Sequence, residues 1–452
     1  MAANEIIVIC MLGSFILLIF TGYPVAWLLA GVAVLFSVGA ILANQQLGVN
    51  TYFLTDWRIF GVIVQRIYAQ MSNWVLVALP MFIFMGLMLE RSGVAERLMN
   101  SFVQLFGRFR GGLGIAVVAI GILLAASTGI VGASVVLLAL LSIPVMLEQR
   151  YSPAFASGVV ASAGTLGILI PPSIMLIIMA DQLSLPVGNL FMGALIPGVM
   201  LGLMYMVYVV IIATFWPEMA RPAQNLPPFT WRMVGELMRA VVPPLALILA
   251  VLGSIFFGIA TPTEAAGVGA VGATLLAAMN RRLSFTVLRD VGQKTTLTTA
   301  FVFGIFVGAT AFAVVLRSLG GDRFIAGLLH GMPLPPEGIV VVILLIAFLA
   351  GFFLDWLEIS LIFLPLFGPV VGALGFDLTW FVVLFALSLQ TSFLTPPVGF
   401  SLFYLKGAVP PEITTRHIYR GVVPFILIQL LAVVIVFFWR DLVLWLPALM
   451  YG

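Results

Sequence analysis

Two segments of this chain place adjacent prolines and oxygen-bearing side chains inside otherwise apolar runs: GTLGILIPPS at 164–173 and LQTSFLTPPVG at 389–399. Proline has no N–H and restricts the residue before it. A helix should therefore open just ahead of Pro171 and again just ahead of Pro396. Opening releases backbone carbonyls from their intrahelical bonds. Free carbonyls beside the hydroxyls of Thr165, Thr391 and Thr395 and the amide of Gln390 are hard oxygen donors, which suit Na⁺ and similar cations. A kink without a ligand is the alternative at any single break. Two breaks at matching positions favour a cation site at each.

Each break has a companion. The apolar stretch at about 113–147 is interrupted by STGIVGAS at 127–134, and the one at about 338–371 by LDWLEIS at 354–360. Each stretch is too cramped for two full spans and is read as a hairpin that enters the membrane and turns back, which requires a protein-lined or wet surrounding. In the first tip Ser127, Thr128, Gly129, Gly132 and Ser134 are small and permit close backbone approach. This tip is expected to face Gly164, Thr165, Leu166 and Gly167 and to form one cation site. The second tip is expected to face Gln390, Thr391, Thr395 and Pro396 and to form another. Tight helix packing is the competing use of such small residues.

Asp355 and Glu358 are acids within an apolar segment, where a charge costs on the order of several kcal/mol and is usually paired or functional. Cation ligation, proton carriage and substrate contact remain open for them, against a place at the outer interface beside Trp356. Ser173, Asp355, Glu358, Thr395 and Gly399 are the expected substrate contacts. Asp181 falls at a span end. Glu264, in Thr261-Pro-Thr-Glu264, starts a helix as a capping-box acid would.

The elements that must hold these residues are helices in a bilayer. The chain has 452 residues, 63% hydrophobic and 8% charged, where a soluble protein carries about 25% charged residues. A span needs roughly 20 mostly apolar residues. Such runs occur at about 5–20, 24–42, 74–90, 154–182, 190–216, 240–258, 262–279, 296–316, 380–405 and 421–438. The first is read as a retained helix, since it lacks the basic flank and cleavage site of a signal peptide. Amphipathic surface helices are expected at 92–109, 229–241 and 283–294. The single cysteine, Cys10, excludes an intrachain disulfide, and the net charge of +3 gives no reason to expect nucleic acid.

Landmarks recur at a near-constant offset of 225 to 227 residues: Arg91-Ser92 with Arg317-Ser318, Ser134 with Ser360, Pro144 with Pro369, Pro171-Pro172 with Pro396-Pro397, and Pro197 with Pro424. The chain is thus two copies of one unit, 1–220 and 221–452. The first has its hairpin at 113–147 and its broken helix at 154–182. The second has them at 338–371 and 380–405. With these spans, fifteen basic residues fall on one side and five on the other, together the 20 of the chain. Lys and Arg accumulate on the cytoplasmic side, which places both termini outside. Arg91 then falls inside and Arg317 outside, so the copies are inverted. Inverted repeats with broken helices point to a secondary transporter with its site near the midplane. The expected fold class is an all-α polytopic membrane protein of two inverted-topology repeats, each with a re-entrant helical hairpin and a broken transmembrane helix.

The two break motifs, together with GIATPTEAAGVGA at 258–270, resemble the large membrane subunit, DctM-like, of tripartite ATP-independent periplasmic (TRAP) transporters, over essentially the whole chain. The FLDWLEIS and QTSFLTPPVGFSLFYLKG pattern resembles the branch linked to 2-oxo acids, mannitol and chloroaromatic carboxylates. The acids Asp355 and Glu358 depart from the neutral tips of sialic-acid-type members. The resemblance implies a Na⁺-driven importer of organic acids in the inner membrane of bacteria or archaea, working by an elevator movement. It implies two or more Na⁺ sites, with ligands at the first tip and Gly164 to Gly167, and at the second tip and Gln390 to Pro396. It also implies two partners, a small four-helix membrane subunit on a separate chain and a periplasmic substrate-binding protein. No GxxxxGK[ST] motif is present to bind ATP. The alternatives are a stand-alone Na⁺ or H⁺ symporter of carboxylates and an intramembrane enzyme using Asp355 and Glu358 as acid and base.

Overall fold

The structure, a computed structural model, describes residues 2–128, 131–222 and 229–451, with side chains at 125–128 and 451 also left undescribed. The first half runs α1 (Ala3–Ile19), α2 (Val25–Leu47), α3 (Arg58–Met71), a 3-10 turn (Trp74–Val77), α4 (Ala78–Arg91), α5 (Val94–Phe106), α6 (Gly112–Thr128), α7 (Val131–Glu148), α8 (Pro153–Thr165), a second 3-10 turn (Leu166–Ile168), α9 (Ile174–Gln182) and α10 (Val187–Phe215). The second half runs α11 (Trp231–Phe256), α12 (Pro262–Met279), α13 (Phe285–Ser318), α14 (Gly321–His330), α15 (Pro336–Ala350), α16 (Trp356–Ala373), α17 (Leu378–Leu394), α18 (Phe400–Ala408), α19 (Thr415–Phe438) and α20 (Asp441–Tyr451). Among the described residues there is no strand, and eight helical segments are long and apolar enough to cross a bilayer.

The two hairpins are α6–α7 and α15–α16. The two broken helices are α8–α9 and α17–α18, each opening ahead of its proline pair as the missing N–H groups require. Two amphipathic stretches differ from expectation. Residues 229–241 and 283–294 are not separate surface helices but the first turns of α11 and α13, which continue into the bilayer. Nothing between Phe285 and Ser318 removes a backbone donor. In α11 the helix runs on through the Pro243-Pro244 pair. The helix at 94–106 is separate, because Gly93 with φ 74° turns the chain sharply at its start. The helices α3, α14 and α20 were not anticipated. In α3, 14 residues long, Gln65, Arg66 and Gln70 break the apolar run by which a span is recognised.

Packing interlocks the two repeats, which have inverted topology. Helix α2 lies on α13, and its counterpart α12 lies on α4. The second half of each broken helix packs on the hairpin of the other repeat, α9 on α16 and α18 on α7. The closest crossing joins α8 to α19. A Cβ on Gly158 would stand 2.1 Å from Gly421 O, and one on Gly421 1.9 Å from Ala154 O. No side chain fits there. The Glu264 expectation holds: its carboxylate accepts from Thr261 N while Thr261 Oγ1 accepts from Glu264 N.

Gly421→Ala should therefore push α19 off α8 and cost at least the 1–3 kcal/mol typical of overpacking, about, seen as a lower melting temperature in detergent. Gly235→Ala, on an exposed helix face with nothing within 4 Å, should be neutral or slightly stabilising, gaining up to about 1 kcal/mol of helix propensity.

Candidate ion and substrate site

A helix broken by Pro-Pro leaves specific carbonyls without donors, and their fate can be followed one by one. Pro172 has no N–H for Ile168 O, and the Ser173 hydroxyl donates to it instead at 2.7 Å. Pro397 has none for Phe393 O, and Ser401 Oγ donates there at 2.6 Å. Ser392 O, the natural partner of Pro396, accepts from Thr395 N at 3.0 Å. That shift frees Thr391 O, which accepts from Thr395 Oγ1 at 2.7 Å. Hydroxyls thus take several of the carbonyls that the prolines release. Both Pro–Pro peptide bonds are cis. The first break is buried throughout. At the second, Thr395 and Pro396 are half-buried, Pro397 and Val398 are exposed, and Gly399 is buried with φ 48°.

The two breaks meet. Gln390 Nε2 donates to Thr165 Oγ1 at 3.3 Å, and the two residues are 225 apart, which makes them repeat equivalents. Both are fully buried. Thr165 Oγ1 passes its own proton to Ser162 O at 2.8 Å. Gln390 Oε1 is buried and has no hydrogen-bond partner among the described residues. A second bond between the two repeats lies nearby in the fold: Gln429 Nε2 donates to Tyr205 Oη at 2.8 Å across 224 residues. Gln429 Oε1 and Ser162 Oγ are likewise buried without partners. Sequence reasoning kept the two breaks as separate sites and missed Tyr205 and Gln429. The available signal for the first pair was the 225-residue spacing of Thr165 and Gln390, and Tyr205 and Gln429 offered only their place as polar residues within apolar spans.

The hairpin tips close on this centre. Val135 of α7 lies where a Cβ of Gly164 would be, with Val135 Cα 2.9 Å away, so the first hairpin does face the first break. Gly132 lies against the Tyr404 ring of α18, 2.9 Å from a built Cβ to Cζ, so the same hairpin also reaches the second broken helix. Gly132 and Ser134 stand in the first turn of α7 rather than in an open loop, and Ser134 is buried. Gly129 lies outside the described residues, as do the side chains of Ser127 and Thr128. The second hairpin is tied to α17 by Ser388 Oγ donating to Leu344 O at 3.0 Å and Ser392 Oγ to Phe348 O at 2.7 Å. Gly351 at its tip abuts Ser392. Thr391 Oγ1 donates back to Leu387 O at 2.8 Å. Gly167 lies in the buried 3-10 turn, and Pro171 has no N–H to offer its carbonyl.

Asp355 caps α16, its carboxylate accepting from Trp356 N at 2.8 Å. Glu358 follows in the first turn, only 3% exposed, with Oε2 unpartnered among the described residues. A helix N-terminus favours such negative charge. Both acids therefore belong to the second tip.

Interleaved repeats whose broken helices meet at a buried polar centre define a secondary-transporter architecture. The fold is similar to that in the crystal structure of the Alcanivorax borkumensis YdaH transporter, described as having an unusual topology, with a TM-score of 0.62 at 14% identity over 84% of this chain and 88% of that one. Residues 12–442 match the model of the tripartite ATP-independent periplasmic transporter, DctM component. The chain belongs to this family: it is a multi-pass TRAP large permease subunit, a transporter and not an enzyme. It is 33% identical to the C4-dicarboxylate TRAP transporter large permease protein DctM of Pseudomonas aeruginosa, covering 84% of this chain and 88% of that protein. It is 28% identical to the isethionate TRAP transporter permease protein DctMQ of Oleidesulfovibrio alaskensis, covering 82% of this chain and 58% of that protein.

Thr165→Val removes the partner of a buried amide and should destabilise the protein by about 1–3 kcal/mol. Gln390→Met alone should cost a similar amount. The double variant should cost less than the two single effects combined, by about 0.5–1.5 kcal/mol, because it leaves no polar group stranded. Denaturation of the three variants in detergent measures the difference.

Proposed function

We propose that this chain is the transport-carrying subunit of a Na⁺-coupled, binding-protein-dependent importer of organic anions in the inner membrane. The observation that carries this is the contact of the two breaks at Thr165 and Gln390, with Gln390 Oε1 buried and unpartnered. A hard cation takes oxygen donors, and this oxygen has no other use among the described residues. The relatives' names support the substrate class: a dicarboxylate and a sulfonate are both small organic anions. Cations bound at the breaks offset the charge of such an anion at membrane depth. Ser173, Thr395, Gly399, Asp355 and Glu358 remain the proposed substrate contacts, and the remaining candidates at the tips and breaks the proposed Na⁺ contacts.

Residues 1–220 and 221–452 form the two repeat units of this reading. Helices α1–α5 and α11–α14 serve as the scaffold. The hairpins and broken helices, with α10 and α19, move against it as an elevator. Arg-rich loops lie inside and both termini outside, since fifteen of the basic residues share one face. The partners are a periplasmic substrate-binding protein and a small membrane subunit. The length of the DctMQ relative beyond its match leaves room for such a second component on one chain. The branch linked to 2-oxo acids, mannitol and chloroaromatic carboxylates stays a proposal resting on the second-tip motif.

Glu358 favours a second reading for one coupling step. A buried carboxyl with a free oxygen can carry a proton in place of one cation.

Uptake into proteoliposomes containing the chain, its small subunit and a loaded binding protein tests both. Under the first reading uptake follows an imposed Na⁺ gradient and falls at least tenfold in Gln390→Met. In the same samples NaCl raises the melting temperature of the wild type above that in KCl, and Gln390→Met abolishes the difference. Uptake driven by a proton gradient without Na⁺, and lost in Glu358→Gln, establishes the second reading instead.

A further inference from the structure

A cavity of about 530 Å³ opens between α3, α9, α13 and α16, away from the Arg-rich loops. Arg66, Gln70, Asp181, Thr310, Arg317 and Ser318 are among its lining residues. Its one carboxylate is already committed to neutral donors. Asp181 accepts from Gln70 Nε2 at 3.0 Å, from Gln182 Nε2 at 3.1 Å and from Asn73 Nδ2. Arg317 donates to Pro365 O at 3.5 Å, a carbonyl left free because Pro369 has no N–H. Neither Arg66 nor Arg317 has an acidic partner among the described residues.

The other repeat supplies the comparison. Arg317 is the equivalent of Arg91, at an offset of 226. On the opposite face Arg91 is neutralised by Asp290 at 2.5 Å, and Lys294 stands 3.6 Å from the same oxygen. The same offset turns Asp290 into Val64 and Glu90 into Leu316. The outer copy has thus lost both acids, and Arg66 adds a second guanidinium where the inner copy has Gly292. Two guanidinium groups against the one carboxylate of Asp181 leave the cleft with a positive excess, which draws anions, and guanidinium groups match carboxylate geometry.

We propose that this cavity is an acceptor subsite for a carboxylate-bearing anion, which Arg66 and Arg317 hold before it passes to the centre where the breaks meet. The subsite deepens the function proposed above and rests on the cargo being an organic anion. It lies between α3 and α13, on the scaffold, and α9 and α16, on the moving part. Its walls therefore shift against each other when the anion moves inward.

The test needs no knowledge of the natural cargo. Cys10 is the only cysteine, so Cys10→Ser gives a background for Thr310→Cys within the cavity. The full chain with its small subunit, in nanodiscs, is treated with methanethiosulfonates of similar size, one anionic (sulfonatoethyl) and one cationic (trimethylammonioethyl). The anionic reagent is expected to react at least tenfold faster, relative to the ratio on a free thiol. Arg66→Gln and Arg317→Gln should each cut that preference several-fold. Arg317→Lys should keep it. Succinate, as probe, should slow modification where NaCl of equal ionic strength does not. A ratio equal to that of a free thiol, or one indifferent to both Arg→Gln changes, overturns the subsite. Preference and protection without any uptake overturn the importer reading and leave the subsite standing.

Discussion

A backbone broken inside a bilayer must find its hydrogen-bond partners within the protein, and this chain breaks twice. Everything near the centre answers that demand. The hydroxyls of Ser173 and Ser401 stand in for the N–H groups that Pro172 and Pro397 lack, and that of Thr395 takes the carbonyl freed when Thr395 N shifts to Ser392 O. The crossing of α8 and α19 is bare of side chains at Gly158 and Gly421, which draws the two repeats together. That approach lets Thr165 reach Gln390 and Tyr205 reach Gln429 from one repeat to the other. Among the described residues two amide oxygens, Gln390 Oε1 and Gln429 Oε1, remain buried without partners once these bonds are made. Leaving such atoms buried and unpaired costs about 1–3 kcal/mol each, a cost that a bound cation or water would offset.

The repeats share this plan but not its chemistry. The first hairpin meets its break with Gly and Val, and the first break is sealed on all sides. The second hairpin carries Asp355 and Glu358 at the start of α16, and the second break is open at Pro397 and Val398. The same divergence appears at the ends of α4 and α13, where one copy pairs Arg91 with Asp290 and the other presents Arg317 and Arg66 to a cavity without a free acid. Symmetry thus supplies the frame, and departures from it supply the differences: a sealed break and an open one, an Arg91 paired with Asp290 and an Arg317 without an acidic partner among the described residues.

The existence of the spans, the two hairpins, the two breaks and the offset between the copies was legible in the chain itself. Each is a local property. Apolar run length reports a span, a proline pair removes named backbone donors, and a repeat is visible as a repeat. The capping role of Glu264 was legible for the same reason, since it involves residues three apart. The amphipathic α3 was not, because Gln65, Arg66 and Gln70 interrupt its apolar residues and its 14 residues are too few to read as a span. Nor was the continuity of α11 and α13 through their surface turns.

Which polar groups meet was beyond the sequence. Thr165 and Gln390 each stood out as donors at their own break, yet nothing local says that they bond to one another rather than to the nearer hairpin tip. Tyr205 and Gln429 were silent until α10 and α19 were packed. Likewise Arg317 is one arginine among twenty basic residues until α3 brings Arg66 beside it in a shared cavity. Residue type and spacing determined where the backbone must break and which atoms are freed. Only the tertiary structure decided which of those atoms are satisfied and which are left open, because that depends on contacts between helices more than two hundred residues apart.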